Sequence, residues 1–177
     1  MNSGPRNDSN CWITDALSQF ESRLVRYVIG FVGDVNIARE IVQETFLRLC
    51  SKDQEKVGPH LASWLFRVSR NAAIDHLRKE KRMQTTDFNS IDQLVTSNQV
   101  DPIVKEETVD SVNDQLQQLP PSQQEVIRLR FENQLSYKQI AEVTGHSTSN
   151  VGFMIHTAIK KIRNAMAIKP YQAELGR

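Results

Sequence analysis

Near the C-terminal end Ser149, Asn150, Phe153, His156 and Lys160 recur at intervals that gather them on one side of a helix whose start is marked by Ser147, and the chemistry of this set is that of recognition. Hydroxyl and amide groups can donate to and accept from base edges or phosphates, and Lys160 adds a point charge for a phosphate. A second set lies upstream: Arg67, Asn71, Ile74 and Arg78, spaced four, three and four apart, form a stripe joining guanidinium groups to an amide. Taken alone, a basic stripe fits a solvated helix face as well as a nucleic-acid contact. Nothing in the chain resembles a catalytic constellation. The acids are dispersed, no glycine-rich phosphate loop or nucleophile elbow occurs, and Cys11, Cys50 and the histidines at 60, 76, 146 and 156 lack metal-ligand spacing. These residues point to a binding protein that is not an enzyme and takes no cofactor, metal or small-molecule substrate.

The elements that must hold the first set read as a helix-turn-helix. Ser136 with Gln139 is a capping box for one short helix, and Ser147 is an N-cap for the next. Between them Thr144-Gly145-His146 forms the turn, with Gly145 where a left-handed residue must end the first helix. Val151, Ile155, Ala158, Ile159 and Ile162 recur as an apolar stripe for the inside of the second helix, which is then the reading helix. Phe153 has two placements at this stage: outward, in the middle of the polar face, or half buried if the helix rolls. Gly152 costs about 1 kcal/mol of helix propensity relative to alanine, which implies close approach of something to the backbone there.

At 177 residues, 39% of them apolar, and with a mean hydropathy of -0.46, the chain suits two compact helical units joined by a linker. The fold class expected is all-α: a first domain over 11-83, a flexible acidic linker over 84-108 and a helix-turn-helix domain over 109-169. In the first domain, helices are predicted from about Trp12 to Phe31, with Leu17, Phe20, Leu24, Tyr27, Val28 and Phe31 inward, and from the Asp34 cap to about Leu49, with Ala38, Ile41, Val42, Thr45, Phe46 and Leu49 inward. A loop follows to His60, and then a helix from near Leu61 to about Lys81 packs Leu61, Trp64, Leu65, Val68 and Ala72. Further helices are expected from about Val109 to Gln118 and from the Pro120-Pro121 start through Phe131, and Pro170 ends the last one. Net charge is only +1, yet it is segregated: six cations meet two acids over 67–82, one cation meets seven acids over 87–114, and four cations meet none over 156–169. Two basic blocks around an acidic connector suit two nucleic-acid contacts. No apolar run spans a bilayer and Met1 to Asn10 has no signal-peptide core, which places the chain in the cytoplasm with reduced thiols and without membrane insertion.

Three segments together resemble the extracytoplasmic-function (ECF) group of the sigma-70 family. Ile41-Val42-Gln43-Glu44-Thr45-Phe46-Leu47 is similar to that family's core-polymerase-binding segment. Trp64 to Arg78 resembles its -10 recognition and melting helix, and Leu119-Pro120-Pro121 through Arg163 its -35 reading domain. The resemblance implies core RNA polymerase, promoter DNA and an anti-sigma factor as partners. Glu40, Gln43, Glu44, Phe46 and Leu47 would then meet the polymerase. Asn71 would line the pocket for a flipped -10 base, the Cys50–Ser63 loop would tune specificity, and Arg67, Arg70, Arg78 and Lys81 would hold the strand. Gly152, Phe153 and Met154 stand where the family commonly has Lys, Ser and Arg, and Thr157 where another Arg is frequent, so no family -35 consensus transfers. The alternatives are a helix-turn-helix regulator acting without polymerase and a helical interaction protein docking through Phe153.

Overall fold

The computed structural model describes residues 8–84 and 114–173, with side chains over 12–83 and 114–166. All regular structure among the described residues is helical, and the chain divides into two compact units. The expected acidic linker lies outside the described residues.

The first unit holds α1 (Asp8–Val32), α2 (Val35–Cys50), a single turn α3 (Gln54–Val57), a 3-10 turn (Gly58–His60) and α4 (Leu61–Gln84). Asp34 starts α2: its carboxylate accepts the amide protons of Asn36 at 2.7 Å and Ile37 at 3.1 Å, satisfying donors that a helix start leaves free. Ala38, Ile41, Val42, Thr45, Phe46 and Leu49 are all buried, the inward set that periodicity predicts. In α1 the expectation holds at Phe20, Leu24, Tyr27, Val28 and Phe31 and fails at Leu17, which is 39% exposed. Ala16 continues the inward line instead, because Leu17 lies about 100° round the helix from it.

α4 is rolled relative to the expected face. Of its predicted inward residues only Leu65 is buried; Leu61, Trp64, Val68 and Ala72 are half-buried, while Phe66, Ser69 and Ala73 point in. The reason is partly polar. Thr45 Oγ1 donates its one proton to Ile41 O at 2.9 Å, so in the 3.1 Å contact between the two hydroxyls Ser69 must be the donor. That buried bond ties α2 to α4 with both groups satisfied. Beside it the Tyr27 ring meets Phe31 and Phe66 edge-on, each with centroids 5.1 Å apart, a favoured aromatic arrangement. The Arg23 guanidinium lies over Phe20 at 5.1 Å and Phe66 at 5.9 Å, and burial lowers its pKa.

Residues 51–60, expected as a loop, contain more order than their polar composition suggests. Asp53 accepts the Glu55 amide proton at 3.0 Å and starts α3, and Val57 turns inward to anchor the segment. A single buried valine leaves no periodicity to detect.

The second unit contains helical residues 114–117, α5 (Pro121–Ile127), a π turn (Arg128–Glu132), α6 (Tyr137–Thr144) and α7 (Thr148–Ala173). Gln124, itself buried, donates its amide protons to Leu119 O at 2.8 Å and Gln117 O at 3.2 Å, fastening the bend before Pro121. The helix expected through Phe131 widens at Arg128, where the Asn133 amide donates to Arg128 O at 3.1 Å across five residues. The core comprises Val126, Ile127 and Leu129, then Leu135, Ile140 and Val143, closed by Val151, Met154, Ile155 and Ala158 of α7. α7 continues through Pro170 to Ala173 instead of stopping at Lys169; a proline removes one amide donor but does not oblige a helix to end.

Candidate nucleic-acid interface

α4 carries the -10 candidates. Arg67, Asn71, Arg78 and Lys81 are exposed, while Ile74 and Arg70 are half-buried. Arg70 and Lys81 already have interaction partners within the protein. Arg78 Nη1 lies 3.3 Å from Asp75 Oδ1, both largely exposed, and His76 Nε2 lies 3.8 Å from Glu80. An exposed pair such as Arg78–Asp75 contributes about 0–1 kcal/mol, so Arg78 can leave Asp75 for a phosphate at little cost. Asn71 offers one face of α4 an amide with both donor and acceptor capacity.

The polymerase candidates lie opposite the buried stripe of α2. Glu40, Gln43, Glu44 and Leu47 are exposed, Leu47 at 59%, and their spacing makes one outer face. Glu44 Oε1 accepts from Arg48 Nε at 3.0 Å, in a pair about half exposed on each side. Phe46, expected beside them, is only 6% exposed and packs in the core. It cannot present surface to a partner without leaving that core.

In the second unit the helix-turn-helix forms as its capping residues require. Ser136 Oγ accepts from the Gln139 amide at 3.2 Å, Gln139 Oε1 accepts from the Ser136 amide at 2.9 Å, and Gly145 adopts φ 80°, the left-handed end. Ser147 Oγ accepts from the Asn150 amide at 3.2 Å, so this hydroxyl is already engaged in starting α7. Ser149, Asn150, His156 and Lys160 are exposed. Phe153 is 67% exposed, which removes the rolled-helix placement.

The three positions that depart from the family's pattern separate in the structure. Phe153 faces out, Met154 is 7% exposed and belongs to the core, and Gly152 is covered by a ring. A Cβ on Gly152 would lie 3.6 Å from Tyr137 Cε2 and 3.8 Å from Cδ2, so Tyr137 is the neighbour over the glycine but does not come close enough to require one. Both distances are ordinary van der Waals contact. Gly152→Ala is therefore expected to stabilise the unit by about 0.5–1 kcal/mol through helix propensity and a stiffer unfolded chain. Urea unfolding of the full chain followed by far-ultraviolet circular dichroism checks this, and a fall in stability would mean that the ring cannot accept a methyl neighbour.

Two exposed aromatic residues escaped sequence reasoning. Tyr137, 40% exposed, has the Arg130 guanidinium 5.5 Å from its ring centroid, and Arg130 Nη1 donates to Leu135 O at 3.0 Å. The glycine four turns' worth of sequence away was the available signal for Tyr137. Phe131, 58% exposed, sits in the π turn; one inserted residue per turn shifts the facing of everything after it, and sequence spacing carries no mark of that shift.

With this geometry in place, comparison with known proteins yields two family matches. Residues 17–83 match the model of sigma-70 region 2, and residues 110–162 match that of sigma-70, region 4. Among curated proteins, the RNA polymerase sigma factor SigV of Bacillus subtilis is 30% identical over 154 residues, spanning 85% of this chain and 86% of that protein. The ECF RNA polymerase sigma factor SigL of Mycobacterium tuberculosis is 32% identical over 145 residues, 79% of this chain and 80% of its own. The ECF RNA polymerase sigma factor SigM of B. subtilis is 26% identical over 155 residues, covering 85% and 93%.

Proposed function

This chain belongs to the sigma-70 family as an ECF sigma factor, and from that premise we propose how its surfaces divide the work of initiation. The protein directs core RNA polymerase to specific promoters and initiates transcription there. The working boundaries are 11-83 for core binding and -10 recognition, 84-108 for the connector, and 109-169 for -35 recognition. The outer face of α2, with Glu40, Gln43, Glu44 and Leu47, binds the polymerase. Leu47 adds apolar area among polar groups, and Glu44 exchanges Arg48 for a basic partner at a cost of about 0.3–0.5 kcal/mol.

On α4, Asn71 holds a base taken out of the stack, while Arg67, Arg70, Arg78 and Lys81 hold the strand through phosphates, contacts that position without choosing sequence. Unstacking costs a few kcal/mol, and single-strand binding offsets it. The protein thus works by binding and not by catalysis, in the cytoplasm, and an anti-sigma factor restrains it. On α7, Ser149, Asn150, Phe153, His156 and Lys160 face the upstream duplex, and Ser147 sets the start of the helix that presents them.

The observation that supports this reading best is the separation of faces: α2 and α4 bury one side and leave Glu40, Gln43, Glu44, Leu47, Arg67, Asn71, Arg78 and Lys81 exposed on the other, with Phe46 buried and Arg70 half-buried as the exceptions. A helix-turn-helix regulator working without polymerase is not favoured, since the region 2 match spans 17–83. Run-off transcription with core polymerase over a genomic library tests the reading, with start sites clustered behind shared upstream and -10 sequences as the expected result. Transcription from no promoter, or footprinting by the chain alone, rejects it. Glu44→Lys is expected to weaken competition for core polymerase about two- to fivefold, the worth of about 0.4–1 kcal/mol for one exposed charge contact. Unchanged co-purification would remove Glu44 from the polymerase face.

A further inference from the structure

We propose that Phe153 is a specificity residue that reads the upstream duplex through the 5-methyl group of thymine, giving this protein an apolar, charge-free -35 readout. The proposal rests on the assignment of α7 as the reading helix. Its neighbours Met154 and Ile155 are 7% and 2% exposed while Phe153 is 67% exposed, so the ring's outward position is set by the packing of the helix itself. Around it the same face carries Ser149 and Asn150 one turn earlier and His156 one turn later, all exposed. From Thr148 to Ile159 there is no Lys, Arg, Asp or Glu; the first lysine on the face is Lys160.

Those absences decide what the helix can recognise. The commonest specific major-groove contact, Arg or Lys on guanine, has no residue to make it over these turns, and nor does an acid on cytosine. What remains is the Asn150 amide, suited to adenine, serine hydroxyls, the His156 imidazole, which can donate to or accept from a base edge, and an aromatic ring. The only apolar group that base edges present in the major groove is the thymine methyl. An exposed ring covering it removes apolar surface of both partners from water, and one methyl-sized group corresponds to roughly fourfold in affinity. Because no charge takes part, that discrimination is insensitive to salt, unlike the phosphate-dominated total affinity.

The test uses holoenzyme assembled from the full chain and core RNA polymerase. Duplexes are selected from a library randomised upstream of the start site, and each thymine of the selected element is replaced singly by deoxyuridine, which removes only the methyl group. At one or two positions the parent is expected to lose roughly fourfold in affinity, by the same factor at two salt concentrations. The holoenzyme carrying Phe153→Ser is expected to bind the thymine and uracil duplexes equally, with unchanged association with core. An element whose methyl groups make no difference overturns this proposal alone and leaves Phe153 as a protein-docking residue. Methyl sensitivity that persists in the variant assigns the contact to another side chain and also overturns it. Selection of no upstream element overturns the reading of α7 together with the proposal.

Discussion

Phe66→Ala is expected to cost the first unit about 3–5 kcal/mol, the range for a large buried aromatic cut to a methyl group. The ring is fully buried, meets Tyr27 edge-on at 5.1 Å and lies beneath Arg23, so its loss leaves a cavity and also removes partners from both neighbours. Against a total stability of about 5–15 kcal/mol the change consumes much of the margin. The measurement is direct because both tryptophans, Trp12 and Trp64, lie in α1 and α4; their fluorescence follows this unit during urea unfolding of the full chain. A midpoint lowered by roughly 2–3 M is expected for a slope of about 1.5 kcal/mol/M. A change worth less than about 1 kcal/mol would show that the bundle collapses into the space and that the aromatic cluster is not its centre.

Asn71→Ala is expected to reduce open-complex formation about ten- to a hundredfold, the worth of about 1–3 kcal/mol for a good bidentate contact to a base edge, while binding to core polymerase stays unchanged. The separation follows from placement: Asn71 is exposed on α4, whereas the polymerase candidates lie on the outer face of α2. Removing an exposed amide leaves no cavity, so fold and core association serve as internal controls. Permanganate reactivity of promoter thymines reads the melted strand. Equal reactivity with parent and variant would take Asn71 out of the base pocket.

The legibility of the sequence varied with the kind of signal. Asp34, Ser136 with Gln139, Gly145 and Ser147 announced helix ends because a cap is local: the side chain meets an amide two or three residues away, and spacing alone specifies it. The inward face of α2 was equally legible, since its apolar residues keep step with the helix period. The inner face of α4 is not legible from polarity because it includes Ser69, which such a pattern assigns to solvent. Ser69 is buried only because Thr45, 24 positions earlier, offers it an acceptor, and no local pattern contains that partner. For Phe46 the helix period points to the core and the family resemblance to the polymerase face, and packing against the other helices reserves it for the core. The candidate contact residues on α4 and α7 were legible as faces, but Arg70 proved half-buried and already engaged.

By itself, then, the order of residues determined where helices begin, which side of α2 turns inward, and that two basic modules flank an acidic stretch, because each depends on neighbours within a turn or two of chain. Only the tertiary structure decided that Ser69 is buried, that Arg128–Glu132 widens into a π turn, that Tyr137 covers Gly152, and that of two adjacent apolar residues Met154 packs while Phe153 stays in solvent. Those outcomes depend on how much room distant helices leave, a quantity set by the packing of whole side chains against one another.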